Sequence, residues 1–262
     1  MDRIAFLARS ENRMRVLRTV TAEPRTRHEL REELVMSRTT LGRVLNEFEE
    51  RSLIRPTERG YATTVVADAI LEKFVPLLET VEGLETLGEA VEWLPPPARE
   101  LEFRQFRDAE FTTSTAGNPA EPFDRGLELI RAADRYRGLT STAIPRYVRV
   151  IRDGLVEGRV DTEGVVEASV IETVRNNPER AAPWYDFAEA GATGVYDGRV
   201  PINMHIVDDR VLIWLGQRHE DGLDVRGLLE STNPAVLSWA ESLYDDYWTA
   251  AEPLDPAMLP EP

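Results

Sequence analysis

Apolar residues recur at helical spacing through the first third of the chain, then give way to shorter runs of mixed period. In "SENRMRVLRTV", Met14, Leu17 and Val20 lie about one turn apart and predict a helix with one apolar face. "TRHEL" sets Thr26 and Glu29 at capping-box spacing with Leu30 and Leu34 behind them, predicting a second helix that ends near Val35. After a very short turn, Ser37 is placed to cap a third helix. Its Leu41, Val44, Leu45 and Phe48 fall at i, i+3, i+4 and i+7, a buried stripe. "LIRPTERGYATT" then predicts a hairpin, with strands at 53–55 and 61–64 around a turn at 56–60.

From Val66 to Leu94 the apolar positions Ile70, Phe74, Leu77, Val81, Leu84, Leu87, Val91 and Leu94 are three or four apart. They predict one helix, or two bent near Pro76. Such a stripe suits a coiled-coil-like dimer contact, and it equally suits packing on the protein's own second domain. Residues 95–97, three prolines, cannot continue a helix and mark a boundary.

Beyond the prolines, "LEFRQF" and "EFTTST" read as strands, "PFDRGLELIRAAD" as a helix, "YRGLTST" as a strand and "PRYVRVIRDGLVEG" as a helix. "GVVEASVIETVRNN" fits either type. "APWYDFAEAG" reads as helical and "TGVYDG" as a strand. "INMHIVDDRVLIWLG" gives two strands joined at Asp208 and Asp209, and "NPAVLSWAESLYDDYWTAA" is a closing amphipathic helix. The alternation predicts an α/β layer round a central sheet. Three parts follow: a helix-turn-helix domain with a wing (1–65), a connecting helix able to mediate dimerisation (66–97) and an α/β effector or sensor domain (98–262).

Charge sharpens this division. The 262-residue chain carries 47 acidic against 31 basic residues, and Lys73 is its only lysine. Excess carboxylate with almost no lysine fits a high-salt cytoplasm, where screening lets a negative surface persist; a GC-rich genome is the plainer alternative. Yet residues 1–65 hold 13 arginines against 10 acids, a net of +3, leaving −19 for the remainder. The chain has no cysteine, which excludes disulfides and thiolate chemistry. It has no apolar run near the ~18 residues of a membrane span, and its first residues are too charged for a signal peptide, so a cytoplasmic protein is expected.

Opposite the stripe of the third helix, 100° steps place Thr39, Arg43, Asn46 and Glu50, with Arg38 at the N-terminal flank. A recognition helix enters the major groove by its N-terminal part, where arginine and asparagine make bidentate contacts to guanine and adenine. Arg38, Thr39 and Thr40 suit phosphates or bases near the helix start, and Arg55 and Arg59 near the wing tip suit the backbone or minor groove. Double-stranded DNA is therefore the expected partner. A supporting bundle whose hairpin serves protein contacts is the bland alternative.

In the second half, a ligand in an open α/β sheet would sit at strand carboxyl ends, near Thr140, Ser141 and Thr142, with Arg146 opening the next helix. That arrangement would welcome an anion, unless Ser141 or Thr142 merely caps the helix. His28, His205 and His219 have no metal-ligand spacing, and a metal site pairing His205 with Asp208 or Asp209 is disfavoured. No glycine-rich phosphate loop opens a helix. Trp184, Tyr185, Trp214 and Trp239 read as core or interface, not as ligand-stacking platforms. No cofactor and no catalytic residue are expected.

"T-x-x-E-L" at Thr26 and "S-R-T-T-L-x-R-x-L-x-x-x-E-x-x-x-L-I" from Ser37 resemble the winged helix-turn-helix domains of archaeal and bacterial transcription regulators. "FDRGLELIRAADRYRGLTST", "IVDDRVLIWLG" and "LSWAESLYDDYWTAAEPL" resemble the effector domain of archaeal winged-helix regulators of the methanogenesis regulatory protein family. That resemblance implies a mixed-sheet α/β domain like a degenerate phospholipase D fold. It also implies a one-component regulator, with a sensory α/β domain joined to a DNA-binding head. The leading expectation is a sequence-specific transcription regulator, a homodimer whose acidic domain senses a small molecule or a partner. Phospholipase D chemistry needs a His-x-Lys pair, and Val207 stands where His205 would need lysine, so that activity is not expected. An interaction adaptor built on a winged helix that binds no DNA is the alternative. A buried Arg38/Arg43 face would favour it.

Overall fold

The computed structural model describes residues 2–219 and 222–260. The chain forms two compact units, Met1–Leu78 and Glu79–Pro262.

The first unit contains α1 (Asp2–Ala8), α2 (Glu11–Ala22), α3 (Arg27–Leu34), α4 (Arg38–Glu50), a hairpin of β1 (Ile54–Thr57) and β2 (Gly60–Thr63), and the start of α5 (Val65–Leu87). Both predicted caps form. Thr26 Oγ1 accepts the Glu29 N–H at 3.3 Å while Glu29 Oε2 accepts the Thr26 N–H at 2.7 Å. Ser37 Oγ accepts the Thr40 N–H at 3.1 Å. A cap of this kind stabilises a helix by about 1 kcal/mol, enough to fix where α3 and α4 begin. Leu17, Leu30, Leu45, Phe48 and Leu53 are fully buried in a common core.

The helix α1 is an addition to the elements expected from sequence. Its Phe6 meets Phe48 edge-on at 6.0 Å, with the Arg13 and Arg51 guanidiniums 3.8 and 4.0 Å from its ring centre. The wing carries a one-residue third strand, because Arg25 exchanges backbone hydrogen bonds with Tyr61 at 3.0 and 2.8 Å. Gly60 allows that approach: at φ +113° it sits where a Cβ would lie 2.3 Å from the Arg25 carbonyl oxygen.

Helix α5 runs unbroken past Pro76 and ends in a 3₁₀ segment, Gly88–Trp93. Two further 3₁₀ turns follow, Pro96–Glu100 and Phe103–Phe106. The second replaces the strand expected for "LEFRQF". Phe103 and Phe106 are three apart, so one 3₁₀ turn points both at the same core, whereas a strand would part them to opposite faces.

The second unit continues with β3 (Glu110–Thr113), α6 (Glu121–Ala132), β4 (Arg135–Thr140), α7 (Pro145–Val156), β5 (Asp161–Glu167), α8 (Ala168–Arg175) and α9 (Ala182–Glu189). Then come β6 (Thr193–Tyr196), β7 (Met204–Val207), β8 (Arg210–His219), β9 (Gly222–Ser231), α10 (Pro234–Ala250) and β10 (Glu252–Pro253). One mixed sheet has the order β10-β6-β5-β4-β7-β8-β9-β3, with β4, β5 and β6 parallel and the other pairings antiparallel. "GVVEASVIETVRNN" divides between the end of β5 and all of α8. Strand β9 was not among the expected elements; its Leu228 and Leu229 are both buried, one on each face of the sheet, so no alternation marks it.

Side chains alternate across this sheet. Leu139, Met204, Ile206, Val211 and Ile213 face one way, into a core shared with Val236, Ala240 and Tyr244 of α10. Tyr136, Leu212 and Trp214 face the other way, towards Leu127 and Ile130 of α6 and Tyr147 of α7. A buried carboxylate secures α6 to this face. Glu230 of β9 accepts from Arg125 of α6 at 2.8 and 2.9 Å and from Arg210 at 3.1 Å.

Candidate functional site

In the first unit, packing fixes α4 and leaves one side of it free. Leu41, Val44, Leu45 and Phe48 are buried, while Arg38, Thr39, Arg43 and Asn46 are exposed. Among the described residues, no side-chain hydrogen bond or ion pair engages Arg38, Thr39, Asn46, Arg55 or Arg59. Arg43 has only a long i,i+4 pairing to Glu47, at 3.8 Å. Glu47 is itself held by Arg13 through two contacts of 3.1 and 2.8 Å, so Arg43 is the easier partner to release. Thr40 differs from its neighbours. It is half-buried, and its hydroxyl lies 2.8 Å from Ser37 Oγ inside the cap.

Arg55 and Arg59 are exposed on the wing. One more cation sits nearby that sequence reasoning passed over. Arg27, at the start of α3, donates to the Tyr61 hydroxyl at 2.7 Å, and its guanidinium lies 5.5 Å from that ring's centre. The pairing of Arg25 with Tyr61 brings the start of α3 to the wing, and nothing local in the sequence announces it. The set offers guanidiniums, a hydroxyl and a carboxamide on one rigid helix, flanked by cations on a hairpin. It can donate to phosphates and to base edges alike.

In the second unit, a cavity of about 250 Å³ lies on the α6–α7 side of the sheet. Its floor is the alternate set of strand positions: Tyr136, Gly138 and Thr140 of β4, with Thr162, Gly164 and Val166 of β5. His205 of β7 and Trp214 of β8 extend it, and Phe123, Tyr147, Trp184 and Phe187 wall it. Trp184 and Trp214 are thus buried core residues, as expected, and also bound this space. Thr140 is thus part of the floor, and Thr142 lines the cavity beside it.

Thr140, Ser141 and Thr142 form a small network around Asn203. Asn203 Oδ1 accepts from the Thr140 hydroxyl at 2.8 Å and from the Ser141 N–H at 2.7 Å, and the Thr142 N–H donates to Thr140 Oγ1 at 3.1 Å. Neither Ser141 nor Thr142 caps α7, whose N-cap is Ile144. Arg146 faces away from this network and pairs with Asp124 at 2.9 Å on the surface.

His205 is buried against aromatic rings, 5.4 Å from Tyr136, 6.0 Å from Tyr147 and 6.1 Å from Trp214. Burial alone lowers its pKa to about 4, so the ring is neutral at neutral pH. Burial likewise drives the Tyr136 and Tyr147 phenols far above their ordinary value. The Tyr136 hydroxyl lies 2.8 Å from His205 Nδ1, and Tyr147 donates to the Phe123 carbonyl at 2.7 Å. Either group can be the donor in this contact; where the phenol donates, Nδ1 accepts and Nε2 carries the ring proton. Asp208 stands apart from this ring and accepts the N–H groups of Asp134 and Arg135 at 3.0 and 2.9 Å. The side chain of His219 lies outside the described residues.

Two family models match the chain. One is the HVO_A0261 N-terminal domain, over residues 1–85, and the other the middle domain of the methanogenesis regulatory protein FilR1, over residues 119–250. No curated protein matches. Among solved structures, the chain is similar to TrmBL2, an archaeal chromatin protein whose structure shows a novel mode of DNA binding. That match has 16% identity, a TM-score of 0.42 and coverage of 97% of this chain and 99% of that one. It is also similar to the phospholipase D family member Nuc from Salmonella typhimurium, with 14% identity, a TM-score of 0.44 and coverage of 56% of this chain and 98% of that one. NucT from Helicobacter pylori gives 11% identity, a TM-score of 0.42 and coverage of 56% and 99%.

Proposed function

This chain belongs to the family defined by the middle domain of the methanogenesis regulatory protein FilR1, and from that premise we propose that it is a sequence-specific, DNA-binding transcription regulator. Its first unit reads DNA, its α/β unit senses a small molecule or partner, and it works as a homodimer in a high-salt cytoplasm. It has no catalytic role in this reading.

The observation that carries the reading is the state of α4. Its apolar stripe is locked into a core and its start is capped, yet Arg38, Thr39, Arg43 and Asn46 stand exposed with no strong partner inside the fold. Side chains held ready on a rigid element, and not consumed by the fold, are what base readout requires. The adaptor alternative loses its supporting feature, because the Arg38/Arg43 face is exposed. Arg43→Ala is expected to weaken binding to a cognate DNA fragment by about 1–3 kcal/mol and to relax preference at one base pair. An electrophoretic shift assay on fragments recovered by genome-wide mapping measures both. Unchanged affinity removes Arg43 from the reading face.

A further inference from the structure

We propose that the cavity of the second unit binds a neutral, compact molecule of one or two rings that presents a hydrogen-bond acceptor such as a carbonyl. This rests on the reading of that unit as a sensor and names the class of molecule sensed.

Four residues register in a row across the sheet: His205 on β7, Gly138 on β4, Gly164 on β5 and Thr193 on β6. The two central positions have no side chains. Glycine weakens a strand interior, and it commonly marks a place where a ligand or another chain segment comes close. The two glycines differ in what they serve. A Cβ on Gly138 would lie 2.4 Å from the Tyr136 hydroxyl, so this glycine makes room for the tyrosine that holds His205. A Cβ on Gly164 would meet nothing nearer than the Gly138 carbonyl oxygen at 3.8 Å. Packing therefore gives no reason for glycine at 164. What glycine does there is keep the floor of the cavity low.

Volume and lining set the ligand class. At about 250 Å³ the space exceeds the roughly 150 Å³ of an engineered cavity that takes benzene, which fits one or two rings. Phe123, Tyr147 and Trp214 form a connected aromatic wall, with Phe123 stacked on Trp214 at 5.2 Å and Tyr147 edge-on to it at 5.6 Å. Such faces favour a planar guest. Among the described residues no arginine or lysine lines the cavity, and Arg146 is turned to Asp124. The carboxylate on the wall, Glu163, already faces Arg137 Nε at 2.9 Å, close but without the alignment of a hydrogen bond. A charged guest would lose its hydration and find no free opposite charge. The polar groups left to meet a ligand are the Thr142, Thr162 and Thr193 hydroxyls, which donate or accept, and two nitrogens that donate. Asn203 Oδ1 is taken by the Thr140 hydroxyl and the Ser141 N–H, which leaves its amide N–H₂ as a donor, and His205 Nε2–H is a second donor in the tautomer whose Nδ1 accepts from Tyr136.

Calorimetric titration of the full chain with 1-tetralone, tetralin and 1-naphthoate separates these statements. 1-Tetralone is expected to bind saturably at one site, and tetralin, which lacks the acceptor, about tenfold more weakly. 1-Naphthoate, which carries a charge, is expected to be weaker by at least that factor. Gly164→Val should fold, since a β-branched side chain suits a strand and has room, and should abolish binding of 1-tetralone. Gly164→Ala, with a smaller group in the same space, should reduce it. His205→Phe should bring 1-tetralone down towards tetralin. No saturable binding, 1-naphthoate binding as tightly as the ketone, or undiminished binding by both folded Gly164 variants overturns the proposal. A shift assay on a bound genomic fragment tests the sensor reading separately. DNA affinity unmoved by saturating 1-tetralone would end that reading while the cavity assignment stands.

Discussion

His205 shows how far a single residue's role depends on neighbours remote in sequence. On its strand it could have been a ligand or a base. In place it is a neutral ring wedged among Tyr136, Tyr147 and Trp214, with burial holding its pKa near 4 against an ordinary 6.5. The folded state therefore resists taking a proton that the unfolded chain accepts. Above about pH 6.5 neither state is protonated and the full stability is present. Between pH 6.5 and about 4 the unfolded chain gains a proton and the folded one does not, so stability falls with pH, by roughly 3 kcal/mol in total. Carboxylates add their own losses in the same range. The informative quantity is thus a difference: wild type should lose about that much more stability than His205→Gln across pH 7 to 4, in urea titrations followed by tryptophan fluorescence. Equal slopes would place the His205 ring in contact with water.

At the level of elements, what the sequence discloses depends on whether the determining contacts are local. The capping box at Thr26 and Glu29, the Ser37 cap and the α4 stripe each lie within one or two helical turns, and each forms as read. The hairpin forms too, but Pro56, Thr57 and Gly60, expected in its turn, belong to its strands. Helix α1 is only seven residues long and depends on Phe6 reaching Phe48, a contact 42 positions away that no local pattern encodes. The cavity is hidden for a related reason. Its floor alternates along strands far apart in the chain, so Gly138, Gly164 and His205 become neighbours only through the strand order.

Helix α5 combines both situations. Its stripe is legible as a helix, but the stripe has two fates. Phe74 enters the core of the first unit, with Ile70 packed against it and Ala67 and Leu71 joining from outside the stripe, and Leu87 enters that of the second, while Leu77, Val81 and Leu84 stay 56%, 43% and 37% exposed. Those three lie at i, i+4 and i+7 on one face. They are the residues to test for the proposed dimer, and substituting them is cleaner than deleting the helix, which would strip both cores. The double change Leu77→Glu and Val81→Glu should convert a dimer to a monomer in light scattering without altering helix content. A dimer that persists assigns its contact elsewhere.

Across the whole molecule the charge divides with the units. Residues 1–78 hold 14 basic and 12 acidic residues, a net of +2, and residues 79–262 hold 17 and 35, a net of −18. Under the proposed function, so nearly balanced a first unit would gain little from counterion release, and less still in molar salt, so its affinity for DNA would come from base contacts and shape. The α/β unit bears the opposite consequence. Its like charges repel across a compact surface at low ionic strength, and that repulsion fades as the Debye length shrinks from about 10 Å at 0.1 M to about 3 Å at 1 M. The tryptophans allow the units to be followed separately, since Trp93, Trp184, Trp214, Trp239 and Trp248 all fall after residue 78. Raising KCl from 0.1 to 1 M, concentrations at which screening changes roughly as just stated, should lift the melting midpoint seen by tryptophan fluorescence. The helix loss of the first unit, followed by circular dichroism in the same scans, should move less. Equal shifts of both signals would mean that salt acts through general exclusion from protein surface and not through the −18 gathered in one unit.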